Sequence, residues 1–321
     1  MSSKKRNPIY IVGPTASGKT ALAVALAKHY DGEIINADSM QVYRELDIGS
    51  AKPTQAERQG VPHHLLDVVS VGEAFSVSAY RTLANKAMEE IQFRGHVPII
   101  CGGTGLYFQA LTGMLQFSET KGDPAIRLDL QAFADRHGKE ALFKRLQEAD
   151  PVTAARLHPN DVKRVVRALE VYQLTGKPFS EQNTGFQNNA YTENQVCAIG
   201  LQWERHVLNE RIDQRVDAMI QDGLIEEARQ IWAKGIPQDH PSMMGLGYRQ
   251  LFAYFAGEYT LEQAIEAIKR ETHRFAKRQM TWFLRDLRIQ WLQPQQYATP
   301  ALLVQAAQVR IDGYKDKEEE K

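Results

Sequence analysis

Residues 13–20 read Gly-Pro-Thr-Ala-Ser-Gly-Lys-Thr, and few eight-residue stretches restrict a fold more tightly. The apolar, β-prone run Ile9-Tyr10-Ile11-Val12 precedes it and the helix-forming stretch Ala21 to His29 follows. Strand, glycine loop and helix N-terminus in that order make Gly-x-x-x-x-Gly-Lys-Thr a phosphate-gripping loop. The loop's backbone N–H groups and the positive end of the helix dipole converge on one anion. Lys19 adds a point charge, and Thr20 offers a hydroxyl to a magnesium ion. Gly13, Pro14, Thr15, Ala16, Ser17, Gly18, Lys19 and Thr20 are therefore expected to hold a polyphosphate. The loop alone does not say whether that is ATP or the donor of some other group.

A glycine loop of this kind needs a parallel sheet behind it, and the first hundred residues supply one. Glu33–Ala37 and Val97–Cys101 are further unbroken apolar strands, and Ser76 to Phe93 has helical apolar spacing between them. A short helix is expected over Leu106–Leu111. Such alternation predicts an α/β fold, a parallel sheet covered by helices on both faces. Ligands then gather at the C-terminal ends of the strands. Three motifs fall there: Gly13–Thr20, Asp38-Ser39-Met40-Gln41 and Gly102-Gly103-Thr104-Gly105.

From about Phe117 the texture becomes helical and charged, with Pro124, Pro151 and Pro159 near helix starts and an Asn- and Gln-rich loop over Gly185–Tyr191. This predicts an all-helical insertion over 117–194, within a core made of 1–116 and 195–310. Gln195–Leu201 reads as a strand returning to the sheet, Val207–Ala233 and Leu261–Arg285 as long helices, and 311–321 as a disordered charged tail. Formal net charge is +0, so any nucleic-acid surface must be local. Cys101 and Cys197, far apart, exclude a disulfide framework or zinc finger. No apolar run reaches membrane-spanning length and the N-terminus is not a signal peptide, so a cytoplasmic protein with no membrane partner is expected.

Asp38, at a strand end beside the phosphate loop, admits three roles: a magnesium ligand, a general base, or a cap for the turn that follows. Gly102–Gly105 suits either a tight strand-to-helix turn or close backbone approach to a ligand, with the Thr104 hydroxyl at the reacting centre. Lys163 and Arg167 share a helical face, with Arg164 beside it, and Arg270, Arg274, Lys277 and Arg278 recur with Phe275, Trp282 and Phe283 interleaved. Basic faces with aromatics suit phosphate contact and base stacking, although ordinary amphipathic helices look the same. Arg211 and Arg215, four apart, each could complete an anion clamp.

Taken in order, these motifs resemble one family, the tRNA dimethylallyltransferases. The matching pieces are residues 13–20, Asp-Ser-Met-Gln-Val-Tyr at 38–43, Asp-Ile-Gly-Ser-Ala-Lys-Pro at 47–53 and Pro-His-His-Leu-Leu-Asp at 62–67. They continue with Gly-Gly-Thr-Gly-Leu-Tyr at 102–107, His-Pro-Asn-Asp at 158–161, Arg-Ala-Leu-Glu at 167–170 and Gly-Tyr-Arg-Gln at 247–250. The chain lacks the cysteines of the eukaryotic zinc-finger extension and so looks like the short bacterial type. The resemblance implies transfer of a prenyl group from dimethylallyl diphosphate to the exocyclic amine of adenosine 37 in the tRNA anticodon stem-loop. It implies a magnesium cofactor, a monomer, and a phosphate loop holding the donor's diphosphate, with any ATP-binding label reflecting that loop alone.

By the family pattern Asp38 is the base, and Asp38, Ser39, Met40 and Gln41 contact the target adenosine. Thr104 lies between tRNA and donor, and Arg127, Lys163, Arg164, Val165, Val166 and Arg167 contact tRNA. Lys19 and Arg211 act on the diphosphate, Arg211 being preferred to Arg215. The alternative is a phosphate-loop kinase for a small molecule or nucleoside, which needs ATP turnover.

Overall fold

The computed structural model describes residues 6–113, 122–182 and 196–319, the last five without their side chains. The chain opens with β1 (Ile9–Val12), α1 (Lys19–Tyr30), β2 (Gly32–Asn36), α2 (Gln55–Arg58) and the two-residue β3 (His63–His64). Then come α3 (Val77–Phe93), β4 (Val97–Gly102) and α4 (Gly105–Leu111). Five helices follow: α5 (Pro124–His137), α6 (Lys139–Ala149), α7 (Pro151–Ala154), α8 (Val162–Thr175) and α9 (Phe179–Gln182). The chain then forms β5 (Cys197–Leu201), α10 (Arg205–Gln221), α11 (Leu224–Trp232), α12 (Tyr248–Phe255) and α13 (Leu261–Phe283). It ends with β6 (Ile289–Leu292) and α14 (Pro300–Glu319). The expected loop over 185–191 lies outside the described residues.

Six strands form one sheet in the order β3-β2-β4-β1-β5-β6, every neighbouring pair parallel. Alternate residues of β1 serve opposite faces. Ile9 and Ile11 pack with Leu22 and Leu26 of α1 and Ala307 and Ile311 of α14, whereas Tyr10 and Val12 pack with Tyr80 and Ala84 of α3 and Phe108 of α4. Both faces are thus covered, which is why these strands read as unbroken apolar runs. A third core lies under α10–α13, where Ile212, Val216, Leu224 and Leu251 pack on Val42 and Leu46.

The chain divides into two compact units, one of Met1–Leu111 with Glu193–Lys321 and one of Thr112–Thr192. All the regular structure described in the second is helical, around Leu130, Leu142, Leu146, Val165 and Leu169.

Two expectations need correction. The stretch Val207–Ala233 is not one helix: Gly223 at φ +104° ends α10's run and starts α11, a left-handed backbone that disfavours any residue with a Cβ. Nor is the expected tail disordered over its described part, 311–319, since α14 runs to Glu319 and buries Ile311 completely. Tyr30 Oη donates to Asp312 Oδ1 at 2.8 Å, holding this last helix against α1.

Candidate active site

The C-terminal ends of β1, β2 and β4 converge below α10 and α13 on a cavity of about 380 Å³. Lys19, Thr20, Asp38, Gln41 and Arg215 line it, as do the apolar side chains of Ile212, Val216, Met219, Ile268 and Phe275. The lining thus offers cationic and apolar side chains together.

The phosphate loop is held open by neighbours that occupy its outward-facing carbonyls. Trp203 Nε1 donates to Ser17 O at 3.0 Å and Arg211 Nε to Ala16 O at 2.9 Å, the Arg211 guanidinium stacking 4.5 Å above the Trp203 ring. Ala16 has φ +60°, a conformation that a residue with a Cβ adopts at a cost of about 1 kcal/mol or more, so the clamp on its carbonyl sustains local strain. The buried Ser17 hydroxyl has no hydrogen-bond partner among the described residues, which fits a loop shaped for an absent acceptor-rich group.

Lys19 Nζ donates to Pro14 O at 2.6 Å. Burial lowers its ammonium to about 8, with Arg215 pushing the same way and Cys101 and Asp38 opposing. Burial likewise lowers the Arg215 guanidinium from its ordinary value. Arg215 makes no hydrogen bond or ion pair with any described residue. Two half-buried cations face this cavity with little neutralisation, which is the electrostatic signature of an anion site.

Asp38 is positioned by Asn36, a buried strand-end residue that sequence reasoning passed over. Asn36 Oδ1 accepts from Asp38 N at 3.0 Å, its Nδ2 donates to Asp38 O at 3.1 Å, and Tyr80 Oη donates to Asn36 O. Asp38 Oδ1 accepts from Met40 N at 2.8 Å, the capping geometry foreseen as one of three roles. Asp38 lines the cavity all the same, so the capping bond does not withdraw the residue from the cavity wall.

Several expected site residues sit elsewhere. Thr104 does not line the cavity; its hydroxyl accepts from Ser39 N at 3.0 Å and donates to Ser39 Oγ at 3.3 Å, tying the turn after β4 to the turn after β2. The glycines before it make room for neighbouring protein and also line the cavity: a Cβ on Gly102 would lie 2.1 Å from Ala37 O, and one on Gly103 2.3 Å from Gln279 Nε2. Of the two clamp candidates, Arg215 lines the cavity and Arg211 does not. Phe275 and Arg278 reach the lining, but Phe283 belongs to the sheet's core and Trp282 packs against it, so of these three aromatics Phe275 alone lies on the cavity wall.

In the helical unit, Val165 and Val166 are buried in the core, which removes them as side-chain contacts to any partner. Arg127 and Arg167 both bind the fully buried Glu170, at 2.8 Å and 2.5 Å. Lys163 and Arg164 remain exposed, Arg164 paired with Asp161 at 3.2 Å.

A family model described as IPP transferase matches residues 41–286. The chain is 48% identical to a tRNA dimethylallyltransferase from Geobacillus thermodenitrificans, over 88% of this chain and 89% of the other. It is 49% identical to tRNA dimethylallyltransferase 2 from Geotalea uraniireducens, over 91% and 94%. Among solved structures, a full-length tRNA isopentenylpyrophosphate transferase from Bacillus halodurans superimposes with a TM-score of 0.72 at 39% identity, covering 98% of this chain and all of that one. A eukaryotic dimethylallyltransferase crystallised acting on tRNA gives 0.75 at 28% identity, covering 91% and 75%.

Proposed function

The chain belongs to the IPP transferase family and transfers a prenyl group to tRNA, and from that premise we propose that its cavity joins dimethylallyl diphosphate to the exocyclic amine of adenosine 37. The observation that carries this reading is that one cavity lining combines the cations Lys19 and Arg215 and the Thr20 hydroxyl with the apolar Ile212, Val216, Met219, Ile268 and Phe275, and with Asp38. A diphosphate bearing a five-carbon chain needs both the cations and the apolar groups. A kinase would need a place for a nucleoside triphosphate and a closing set of arginines instead.

An adenine amine is a weak nucleophile because its lone pair is delocalised into the ring. The Asp38 carboxylate accepts a hydrogen bond from that amine and takes its proton as nitrogen bonds to the allylic carbon. The carbon–oxygen bond breaks, and its electron pair leaves with diphosphate. Lys19, the loop N–H groups and Arg215 stabilise that anion, each such group contributing roughly 3 kcal/mol to the barrier reduction. The Thr20 hydroxyl, on the cavity lining, would hold magnesium with the diphosphate oxygens, a fit consistent with an ion that takes few protein ligands. Bound there, magnesium supplies charge neutralisation on the leaving group.

We place the protein in the cytoplasm, where its tRNA is, and read it as a monomer. No helix among the described residues is long and apolar enough to cross a membrane. The testing experiment incubates the protein with labelled dimethylallyl diphosphate and unmodified tRNA and analyses the nucleosides. Label on the amine of adenosine 37 is expected, and label at any other atom overturns the reading. Asp38→Asn should lower transfer about 10²–10⁴-fold while inorganic diphosphate still binds.

A further inference from the structure

Glu227 lies on α11 and is not part of the cavity lining, yet the hydrogen bonds it accepts all serve the cavity wall. Its Oε2 accepts from the backbone N–H of Asp47 at 3.2 Å and of Ile48 at 2.8 Å. Its Oε1 accepts from Gly49 N–H at 3.0 Å and from the Tyr248 hydroxyl at 2.5 Å. Four donors on one side chain require a carboxylate, which only accepts. Gly49 lies so close to Tyr248 that a Cβ on it would sit 2.5 Å from the ring's Cζ. Lys52 anchors the segment's far end, with Nζ on Tyr43 O at 2.9 Å and on Asp47 and Asp67 at 2.5 Å each.

The segment so fixed in turn fixes Gln41. Its Nε2 donates to Ser50 O at 3.1 Å and to Ala51 O at 3.0 Å, which uses both amide hydrogens. Two carbonyl partners can only accept, so the amide has one permitted orientation. Gln41 lines the cavity together with Asp38, and its Oε1 accepts from no described residue.

We infer that Glu227 is a positioning residue that, through residues 47–52, locks Gln41 with its carbonyl oxygen presented to the substrate base, selecting a purine with an exocyclic amine. This rests on the reading that adenosine enters beside Asp38. The amine carries two hydrogens: Asp38 takes the one that leaves, and Gln41 accepts the one that stays on nitrogen in the product. A carbonyl oxygen there would face Gln41 lone pair to lone pair, and an unsubstituted purine would leave the oxygen unpaired.

The test uses the full chain and anticodon stem-loops carrying adenine or unsubstituted purine at the target position, the purine RNA being read as a competitive inhibitor. The unaltered protein should bind the adenine RNA at least about tenfold more tightly, the worth of one hydrogen bond. Glu227→Gln sets an amide N–H₂ against backbone N–H groups. It should cut that ratio about tenfold, leaving only the share that Asp38 contributes, lower kcat/KM for adenine RNA about tenfold, and leave inorganic diphosphate affinity within about twofold. Gln41→Met should do the same. Tyr248→Phe, which removes one donor of four, should reduce the ratio partially and decides the matter if Glu227→Gln fails to fold.

A ratio that collapses in Gln41→Met but survives in the Glu227 and Tyr248 variants overturns the relay. Parallel loss of diphosphate binding overturns selective positioning, because a general loosening of the cavity would then explain the effect. An unaltered protein that does not prenylate the adenine RNA overturns the proposed function itself. An active protein whose variants keep the ratio overturns only this inference.

Discussion

Gln279 accepts a hydrogen bond from the backbone N–H of Thr15 at 2.9 Å, which makes a residue of α13 part of the phosphate loop's frame. The same side chain donates through Nε2 to the Gly103 carbonyl at 2.9 Å, so one buried amide ties the turn after β1 to the turn after β4. Truncation strands the buried Gly103 carbonyl and the half-buried Thr15 N–H. Gln279→Ala is expected to destabilise the fold by about 2–4 kcal/mol, each unpaired group contributing about 1–3 kcal/mol. It should also weaken inorganic diphosphate binding, since the loop loses a support. Denaturant unfolding and calorimetric titration check the two effects. Unchanged stability would mean that water replaces the amide on both groups.

The pH dependence of diphosphate binding follows from Lys19. Burial brings its ammonium from 10.5 to about 8, so between those values the unfolded chain holds a proton that the folded protein lacks. This group's contribution to stability therefore rises with pH across that window. Diphosphate acts in the opposite sense, because an anion beside Lys19 favours its charged form. Affinity should be level below about pH 8 and then fall, by at most about tenfold per pH unit, as binding takes up a proton. Calorimetry in buffers of different ionisation enthalpy counts that proton. Lys19→Met supplies the baseline for the ligand's own titration, and a profile identical to that baseline would remove Lys19 from the site.

What the sequence made legible was whatever local order along the chain determines. The strand, loop and helix around residues 13–20 are covalently adjacent, so their motif implied their geometry, and Asp38 followed because it ends the next strand. Arg211 and Arg215 could not be told apart that way, since four-residue spacing puts both on one helical face. Only the packing of α10 shows that one grips Ala16 and the other enters the cavity. Val165 and Val166 were readable and misread: with Val162 and Leu169 they form an apolar stripe at helical spacing, which a contiguous tRNA-contact run overlooked. Ile311 was hidden by the charge run that follows it, although it lies one turn beyond the buried Ala307. Glu227 and Gln279 carried no local signal, because the partners of their side chains, Tyr248 apart, lie 176 to 264 residues away.

The two arginines of α10 separate experimentally. Arg215 reaches the cavity without a hydrogen-bonded partner among the described residues, so Arg215→Ala should lower kcat about 10²–10³-fold, as loss of one leaving-group stabiliser does. Arg211 supports the strained Ala16 carbonyl and covers Trp203. Arg211→Ala should therefore cost about 1 kcal/mol of stability and weaken the donor's binding several-fold, with kcat within about threefold. Single-turnover kinetics at saturating donor resolve the two. A larger kcat loss in the Arg211 variant would restore that residue to the diphosphate and reverse the assignment.

Glu170 makes the helical unit acid-sensitive. It is fully buried, which by itself raises a carboxyl, but bonds from Arg167, Arg127 and the Asp123 N–H outweigh burial and hold it below its ordinary value. A depressed carboxyl contributes stability above the unfolded value, about 4.3, and loses it as pH falls through the lower folded value. Acid should thus unfold this unit in a step that Glu170→Gln largely abolishes, while the same substitution destabilises the unit at neutral pH by about 2–3 kcal/mol. That figure sits below the full range for a broken buried pair, because both arginines are partly solvated. The four tryptophans, Trp203, Trp232, Trp282 and Trp291, all lie outside Thr112–Thr192. Far-ultraviolet circular dichroism should therefore report the unit's transition while tryptophan fluorescence stays with the sheet. Glu170→Gln also frees Arg127 and Arg167 from their carboxylate. If they serve the fold, tRNA affinity falls with the lost structure; if they serve tRNA directly, affinity holds or rises.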